Sequence, residues 1–179
     1  GANSGTGKEA ARGLAAAGAT VILAVRNTAK GESAREEILS GFPGADVQVR
    51  RLDLADLGSV RERADALITE GRPLDLLVNN AGVMMLPERH ETADGFEMQP
   101  GTNFLGHFAL TLRLLPLLLA AAQPRVITMS SGNLAPIDFD DLNWEKSYSP
   151  NGAYGRSKLA DLLLSQQLAR IATERGWNL

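Results

Sequence analysis

Tyr154 and Lys158 lie four residues apart in Tyr154-Gly-Arg-Ser-Lys158, inside a stretch that reads as one long helix, Ala153 to Arg175. On a helix, positions i and i+4 share a face. A phenol with an ordinary pKa of about 10 is a poor base near neutrality, and an ammonium beside it favours the phenolate. The two can therefore work as a general acid/base pair. The same spacing also describes a lysine packed along a surface tyrosine, so the pair takes its weight from its neighbours. Ser130 and Ser131 follow the apolar run RVITM, where a serine hydroxyl can donate to a substrate oxygen or simply close a turn. Asn103 stands in the helix before that run, where its amide can orient a water or Lys158, or bond to backbone.

A second set of residues suits a dinucleotide. Gly1-Ala-Asn3-Ser4-Gly5-Thr6-Gly7 opens the chain ahead of a helix. Glycines let backbone approach phosphate, and free N–H groups at a helix N-terminus attract it. The spacing is GxxxGxG rather than GxGxxG, and a plain glycine turn would look similar. A P-loop does not fit, because Ala2 stands where the first glycine is required and Glu9 follows Lys8 where Ser or Thr is required. Arg26 follows the run TVILAV, at the place where an NAD enzyme carries an acid for the ribose 2′-OH. No acid lies at positions 25–27, and an arginine there can pair a 2′-phosphate bidentately or remain a solvated surface residue. Asp53 and Leu54 follow VQVRRL; the carboxylate can accept from an adenine amino group or cap a turn. Asn79-Asn80-Ala81-Gly82 follows LDLLV, and these small residues and amides either let a cofactor lie against the backbone or form a turn. His90 and His107 have no acidic helper at ligand spacing and read as structural or exposed, so no metal site is expected.

The elements that would hold these residues alternate. A helix over Lys8 to Ala17 stops at Gly18. Thr20 to Val25 is a buried parallel strand, Lys30 to Ser40 a helix, Asp46 to Leu52 a strand and Leu57 to Glu70 a helix. Leu74 to Val78 is a further strand. A helix from Thr92 onward is interrupted at Pro100, a long apolar helix runs from Asn103 to Ala122, and Arg125 to Met129 is a strand. This β/α alternation predicts an α/β fold, a doubly wound, Rossmann-like parallel sheet forming a single dinucleotide-binding and catalytic domain over residues 1–179. The sheet is expected to be incomplete at both ends, with a first strand before Gly1 and last strands after Leu179.

Apolar residues make up 44% and charged residues 22% of the chain, with net charge −3 and no cysteine. Nucleic-acid binding and a polybasic membrane patch are not expected from this balance. Thiolate chemistry and disulfides within the chain are excluded. Phe104 to Ala122 has the length of a membrane span but contains His107, Arg113 and Pro116, and a buried helix is the better reading. The expected location is cytoplasmic.

GANSGTG, Asp53-Leu54, NNAG, Asn103, Ser131 and Tyr154-x-x-x-Lys158, in this order over the whole chain, resemble the short-chain dehydrogenase/reductase family. The stretches VILAVRN, GHFALT, IDFDDLNWE and AYGRSKLADLLL resemble its group of retinol dehydrogenases, the WW-domain oxidoreductase and protochlorophyllide reductase, as does the long separation of Ser131 from Tyr154. The resemblance implies a carbonyl–alcohol oxidoreductase using NADP(H), on a lipophilic small molecule. By position it implies Tyr154 as the general acid/base, Lys158 as the group that lowers its pKa and holds the nicotinamide ribose, Ser131 on the substrate oxygen and Asn103 in a proton relay. Gly1, Asn3, Ser4, Gly5, Thr6, Gly7, Arg26, Asp53, Leu54, Asn80, Ala81 and Gly82 fall on the cofactor-binding positions. Two departures stand out: Thr6 replaces the usual isoleucine, and Pro100 replaces an aromatic on the approach to Asn103. Association into homo-oligomers is expected wherever strand edges stay unpaired. A dinucleotide-binding scaffold without turnover, or an inactive fragment, are the rival readings.

Overall fold

The computed structural model describes all of residues 1–179. They form two compact units, Gly1–Asp53 and Leu54–Leu179.

The first unit contains α1 (Gly5–Ala16), β1 (Val21–Val25), α2 (Thr28–Gly41) and β2 (Val47–Arg51). β1 and β2 pair in parallel, from Val21 opposite Val47 to Val25 opposite Arg51. Alternate residues Val21, Leu23 and Val25 are buried with Ala11, Ala15, Ala34, Ile38 and Val47, so this core is an apolar strand covered by the small-residue faces of two helices. Gly31 lets α2 come this close: a Cβ there would lie 2.7 Å from side-chain carbons of both Val25 and Val49. The Asn27 side chain caps α2 by accepting from the Lys30 N–H at 3.0 Å.

The second unit contains α3 (Leu57–Glu70), β3 (Leu76–Asn79), α4 (Met98–Leu119), β4 (Arg125–Thr128) and α5 (Pro150–Arg175). β3 and β4 are parallel, with Leu76 opposite Arg125 and Asn79 opposite Thr128. Asp56 caps α3 and Gly71 closes it in the left-handed region. Ser149 caps α5, Pro150 occupies its first turn, and Gly176 closes it. α4 packs against α3, and its first turns against α5. Gly106 permits a near contact with the backbone of Leu54, whose carbonyl oxygen would lie 2.5 Å from a Cβ at that position.

The family's Rossmann-like α/β arrangement of parallel strands and helices is present, with two departures from the sequence reading. The strands form two separate parallel pairs, β1–β2 and β3–β4, instead of one sheet. Pro100 also fails to break the helix. It sits at the third residue of α4, within the turn whose N–H groups have no intrahelical partner, so its missing donor costs nothing there. The segment from Thr92 to Glu97 is not helical: the Thr92 hydroxyl accepts from the N–H groups of Asp94 and Phe96, and Glu91 and Glu97 form an isolated antiparallel bridge.

Candidate functional site

Within the second unit, Lys158 is buried on α5. Its ammonium donates to the Met129 carbonyl at the end of β4 (2.7 Å) and to the Asp161 carboxylate (2.9 Å). Two of its three N–H donors are therefore committed. The Ser130 hydroxyl donates to the Lys158 carbonyl at 2.8 Å, which fastens this turn of α5 to the segment after β4. Tyr154 lies one helical turn earlier and is half-buried. Its carbonyl accepts from the Ser157 hydroxyl at 2.7 Å.

Asn103 is fully buried and reaches the same helix. Its Nδ2 donates to the Ser157 hydroxyl and to the Val83 carbonyl, both at 2.9 Å, and its Oδ1 accepts from the Val83 N–H at 2.8 Å. It thus ties the segment after β3 to α5. Gly82 leaves the space this requires: a Cβ there would come within 3.2 Å of Asn103 Oδ1 and 4.0 Å of Lys158 Nζ. Asn103 lies in a π-helical stretch, Gly101–Leu105, where the Gly106 N–H donates to the Gly101 carbonyl five residues back. Such stretches insert a residue and re-aim a side chain, frequently at functional sites. The ring nitrogen Nδ1 of His107 lies 2.7 Å from the Asn103 carbonyl, and with a carbonyl as partner that nitrogen carries the proton.

Burial holds His107 neutral, with its pKa lowered to about 4; the Asn103 carbonyl opposes this shift and the Lys158 charge adds to it. A folded-state pKa below that of the unfolded chain means that acid pulls on the unfolded state. Stability contributed by neutral His107 is present above about pH 6.5 and is lost as pH falls toward 4. Between pH 7 and pH 5 the loss is roughly 2 kcal/mol. Chemical unfolding of the wild-type protein and of His107→Asn at both pH values should differ in pH dependence by that amount; parallel curves would contradict it.

Ser131 is half-buried in the loop after β4, its hydroxyl accepting from the Asn133 N–H at 3.1 Å, and no direct hydrogen bond joins it to Tyr154. Among the residues after β3, Asn79 is buried, and its amide donates to the hydroxyls of Thr111 (3.0 Å) and Thr128 (3.4 Å), joining β3 to α4 and β4. Asn80 and Ala81 are half-buried, and Gly82 is exposed. The loop beyond them is anchored by Gln99. Its Oε1 accepts from the Met85 N–H (2.7 Å), and its Nε2 donates to the Tyr148 hydroxyl (3.1 Å) and the Pro150 carbonyl (3.0 Å). The Tyr148 hydroxyl donates in turn to the Leu86 carbonyl at 2.8 Å. Arg156 stacks on Trp144, 3.8 Å from its ring centroid, and donates to the carbonyls of Pro136 and Asp141. These bonds fix the chain on both sides of the start of α5.

In the first unit, the glycine turn leads directly into α1. Gly5 has φ +52°, a conformation that favours glycine, and Ser4 at the N-cap makes no side-chain cap bond. The first N–H groups of α1 are left for an anion. Asn3 is half-buried, Ser4 and Thr6 are exposed, and Gly7 is buried. Lys8 is taken up by Glu37 at 2.6 Å. Arg26 is exposed immediately after β1. Asp53 is half-buried two residues after β2, and Leu54, buried, opens the second unit. Cradle, exposed guanidinium and strand-end carboxylate fit the phosphates and adenosine of a dinucleotide. In the second unit, Gly82 and the remaining N–H of Lys158 fit a nicotinamide ribose.

A sequence model described as short chain dehydrogenase matches residues 1–176. This chain belongs to the short-chain dehydrogenase family. It is 48% identical over 172 residues to human retinol dehydrogenase 12, covering 95% of this chain and 54% of that protein. It is likewise 48% identical over 173 residues to human retinol dehydrogenase 13, covering 95% and 52%. This short-chain dehydrogenase chain therefore spans about half the length of the curated relatives it matches, and it is retinol dehydrogenase-like. The crystal structure of an uncharacterized protein from Mycobacterium paratuberculosis superposes with a TM-score of 0.89 at 49% identity, over 100% of this chain and 63% of that one. A metagenomic short-chain oxidoreductase in complex with NADP superposes with a TM-score of 0.77 at 25% identity, over 97% and 74%.

Two residues of the network, Ser157 and Asp161, escaped the sequence reading, while His107, read there as structural or exposed, is buried on the Asn103 carbonyl. The spacing held a signal for Asp161 and for His107. Asp161 is three residues after Lys158 and His107 four after Asn103, distances at which helix side chains and backbone meet. α4 is by composition long and apolar enough to cross a membrane, with mean hydropathy 1.3 in its most apolar window. It is also the helix that carries Asn103 and His107 into the second unit's interior.

Proposed function

We propose that this chain supplies the cofactor-binding and catalytic part of an NADP(H)-dependent oxidoreductase that interconverts a carbonyl and an alcohol. The observation that carries the reading is the buried Lys158 ammonium, held by two acceptors one helical turn from Tyr154 and beside Gly82 and Asn103. A cation fixed there stabilises the negative oxygen left when the tyrosine gives up its proton.

When bound, NADPH would supply the hydride that the carbonyl carbon accepts. In the reducing direction Tyr154 gives its phenolic proton to the carbonyl oxygen, and Ser131 donates a hydrogen bond to that oxygen as negative charge grows on it. Lys158 stabilises the phenolate left behind, and its third N–H is free to hold the ribose. Asn103, bonded to Val83 and Ser157, keeps this part of α5 in register with the segment after β3 and supports the proton relay. Gly1, Asn3, Ser4, Gly5, Thr6 and Gly7 bind the pyrophosphate, Arg26 the 2′-phosphate, Asp53 and Leu54 the adenine, and Asn80, Ala81 and Gly82 the backbone-facing side of the cofactor. The NADP complexes of solved relatives support the choice of cofactor. Met84 and Met85, 61% and 44% exposed in the loop after Gly82, support a lipophilic substrate. A cytoplasmic enzyme is part of the reading, checked by cell fractionation.

The test is a panel of aliphatic, aromatic and polyene aldehydes offered to the purified protein with NADPH or NADH. The reading expects aldehyde-dependent consumption of NADPH, strongest with the lipophilic members. A folded protein that binds NADPH and reduces none of the panel would favour the scaffold reading.

A further inference from the structure

Asp161 has no part in the chemistry above, yet it sits at its centre. Its carboxylate accepts from Lys158 Nζ at 2.9 Å, and the two side chains are 0% and 6% exposed. The other oxygen, Oδ1, is buried with no hydrogen-bond partner. A buried ion pair seldom repays the cost of taking both charges from water, and an unpaired carboxylate oxygen adds to that cost. Asp161 compensates the buried Lys158 charge, yet a pair of apolar side chains would do as well for the fold, so it is the need for the Lys158 ammonium at this place that calls for the acid.

Resting on the reading of Tyr154 and Lys158 given above, we propose that Asp161 is a positioning residue. It fixes the Lys158 ammonium together with the Met129 carbonyl, and it sets how much positive charge the Tyr154 phenol feels. The geometry leaves Lys158 one N–H for a ligand and fixes its direction, since the other two are held by a carbonyl at 2.7 Å and a carboxylate at 2.9 Å. With Asp161 ionised, the pair presents a dipole to the phenol rather than a bare cation. With Asp161 neutral, it presents a full positive charge.

The surroundings allow that change near physiological pH. Burial pushes Asp161 up to about 6, against the pull of Lys158. Lys158 is the charged group that faces it on α5. Of the elements packed against this part of α5, α4 brings the buried His107, neutral above about pH 4, and the uncharged Asn103. Farther along α4, Arg113 faces the surface and pairs with Asp65. From β4 come the Met129 carbonyl at one end and the exposed Arg125 at the other. As pH falls through about 6, the site passes from net neutral to net positive, and the phenolate form of Tyr154 is favoured more strongly.

The experiment is NMR titration of the cofactor-free protein labelled at tyrosine Cζ, with the Tyr154 signal assigned from Tyr154→Phe. Asp161→Asn keeps an acceptor for Lys158 and removes the negative charge, so the Tyr154 phenol should titrate at lower pH than in the wild-type protein. The pH profile of alcohol oxidation should move the same way. Asp161→Ala also loses the tether, and its affinity for NADPH should fall several-fold while that of Asp161→Asn holds. In the wild-type protein alone, the Tyr154 signal should show a small inflection near pH 6 that follows Asp161, which keeps the proposal testable if a variant does not fold. An unchanged Tyr154 titration in Asp161→Asn, or no such inflection, overturns the proposal. An active Tyr154→Phe enzyme would instead overturn the reading on which it rests.

Discussion

Tyr154→Phe is expected to lose turnover by ~10²–10⁴-fold, the range for removal of a general acid/base, while binding NADPH as tightly as the wild-type protein. The substitution removes the phenolic oxygen and keeps the ring. The phenol makes no hydrogen bond to the rest of the chain; the bonds that hold this turn of α5 run instead through the Tyr154 carbonyl, Ser157 and Lys158. Folding is accordingly expected to be untouched, with matching circular dichroism and unfolding midpoints. Lys158→Met should differ in kind. It removes the cation that tunes the phenol and the N–H assigned to the ribose, and it leaves Asp161 buried without its partner. Turnover, NADPH affinity and stability should all fall, the last by about 3–5 kcal/mol, as for a buried pair broken on one side. Ser131→Ala should slow turnover and spare NADPH binding, since its one bond within the chain is to the Asn133 N–H in its own loop. Steady-state reduction of a responsive aldehyde, paired with NADPH fluorescence titration, separates these outcomes. Near-normal turnover in folded Tyr154→Phe would remove the tyrosine from the chemistry.

Arg26→Asp should abolish or reverse the preference for NADP(H) over NAD(H). The guanidinium is exposed just past β1, no acid stands at 25–27 to receive a ribose 2′-OH, and Asn27 is already used as the cap of α2. A charge-assisted hydrogen bond is worth roughly 1.5–3 kcal/mol, so losing it should weaken NADPH binding on the order of tenfold to a hundredfold. The new carboxylate would repel the 2′-phosphate further and accept from a 2′-OH. The check is a binding titration of both cofactors against both proteins. Equal affinities for NADPH and NADH in the wild-type protein would remove Arg26 as the determinant.

Much of this was legible from residue type and position, because the relevant physics is local. The helix over Leu57 to Glu70 has an aspartate cap at one end and a glycine at the other, and it appears with those bounds. VILAV reads as a strand for its unbroken apolar, β-branched run, and its alternate residues form the first unit's core. Prolines were harder to read. Pro100 looks like a breaker in sequence, but it lies in a first helical turn, where proline is tolerated, as Pro150 does at the start of α5. α5 consequently begins at Pro150, three residues ahead of Ala153. The π-helical stretch that carries Asn103 left no mark, since an i→i+5 bond changes the backbone register without a side-chain period of its own. Asp161 and His107 were visible as spacings, but their weight comes from burial, which depends on how α4, β4 and α5 pack. Sheet pairing was the least legible feature, because hydrogen bonds between strands depend on which strand lies between which others.

The most direct test of the central claim is transfer of deuterium from NADPH labelled at the nicotinamide C4 to a responsive aldehyde, read by mass spectrometry of the product alcohol. The account predicts one deuterium on the carbinol carbon with the wild-type protein, and product reduced to background with folded Tyr154→Phe. Unlabelled alcohol, or no alcohol from a folded protein that binds NADPH, would contradict it.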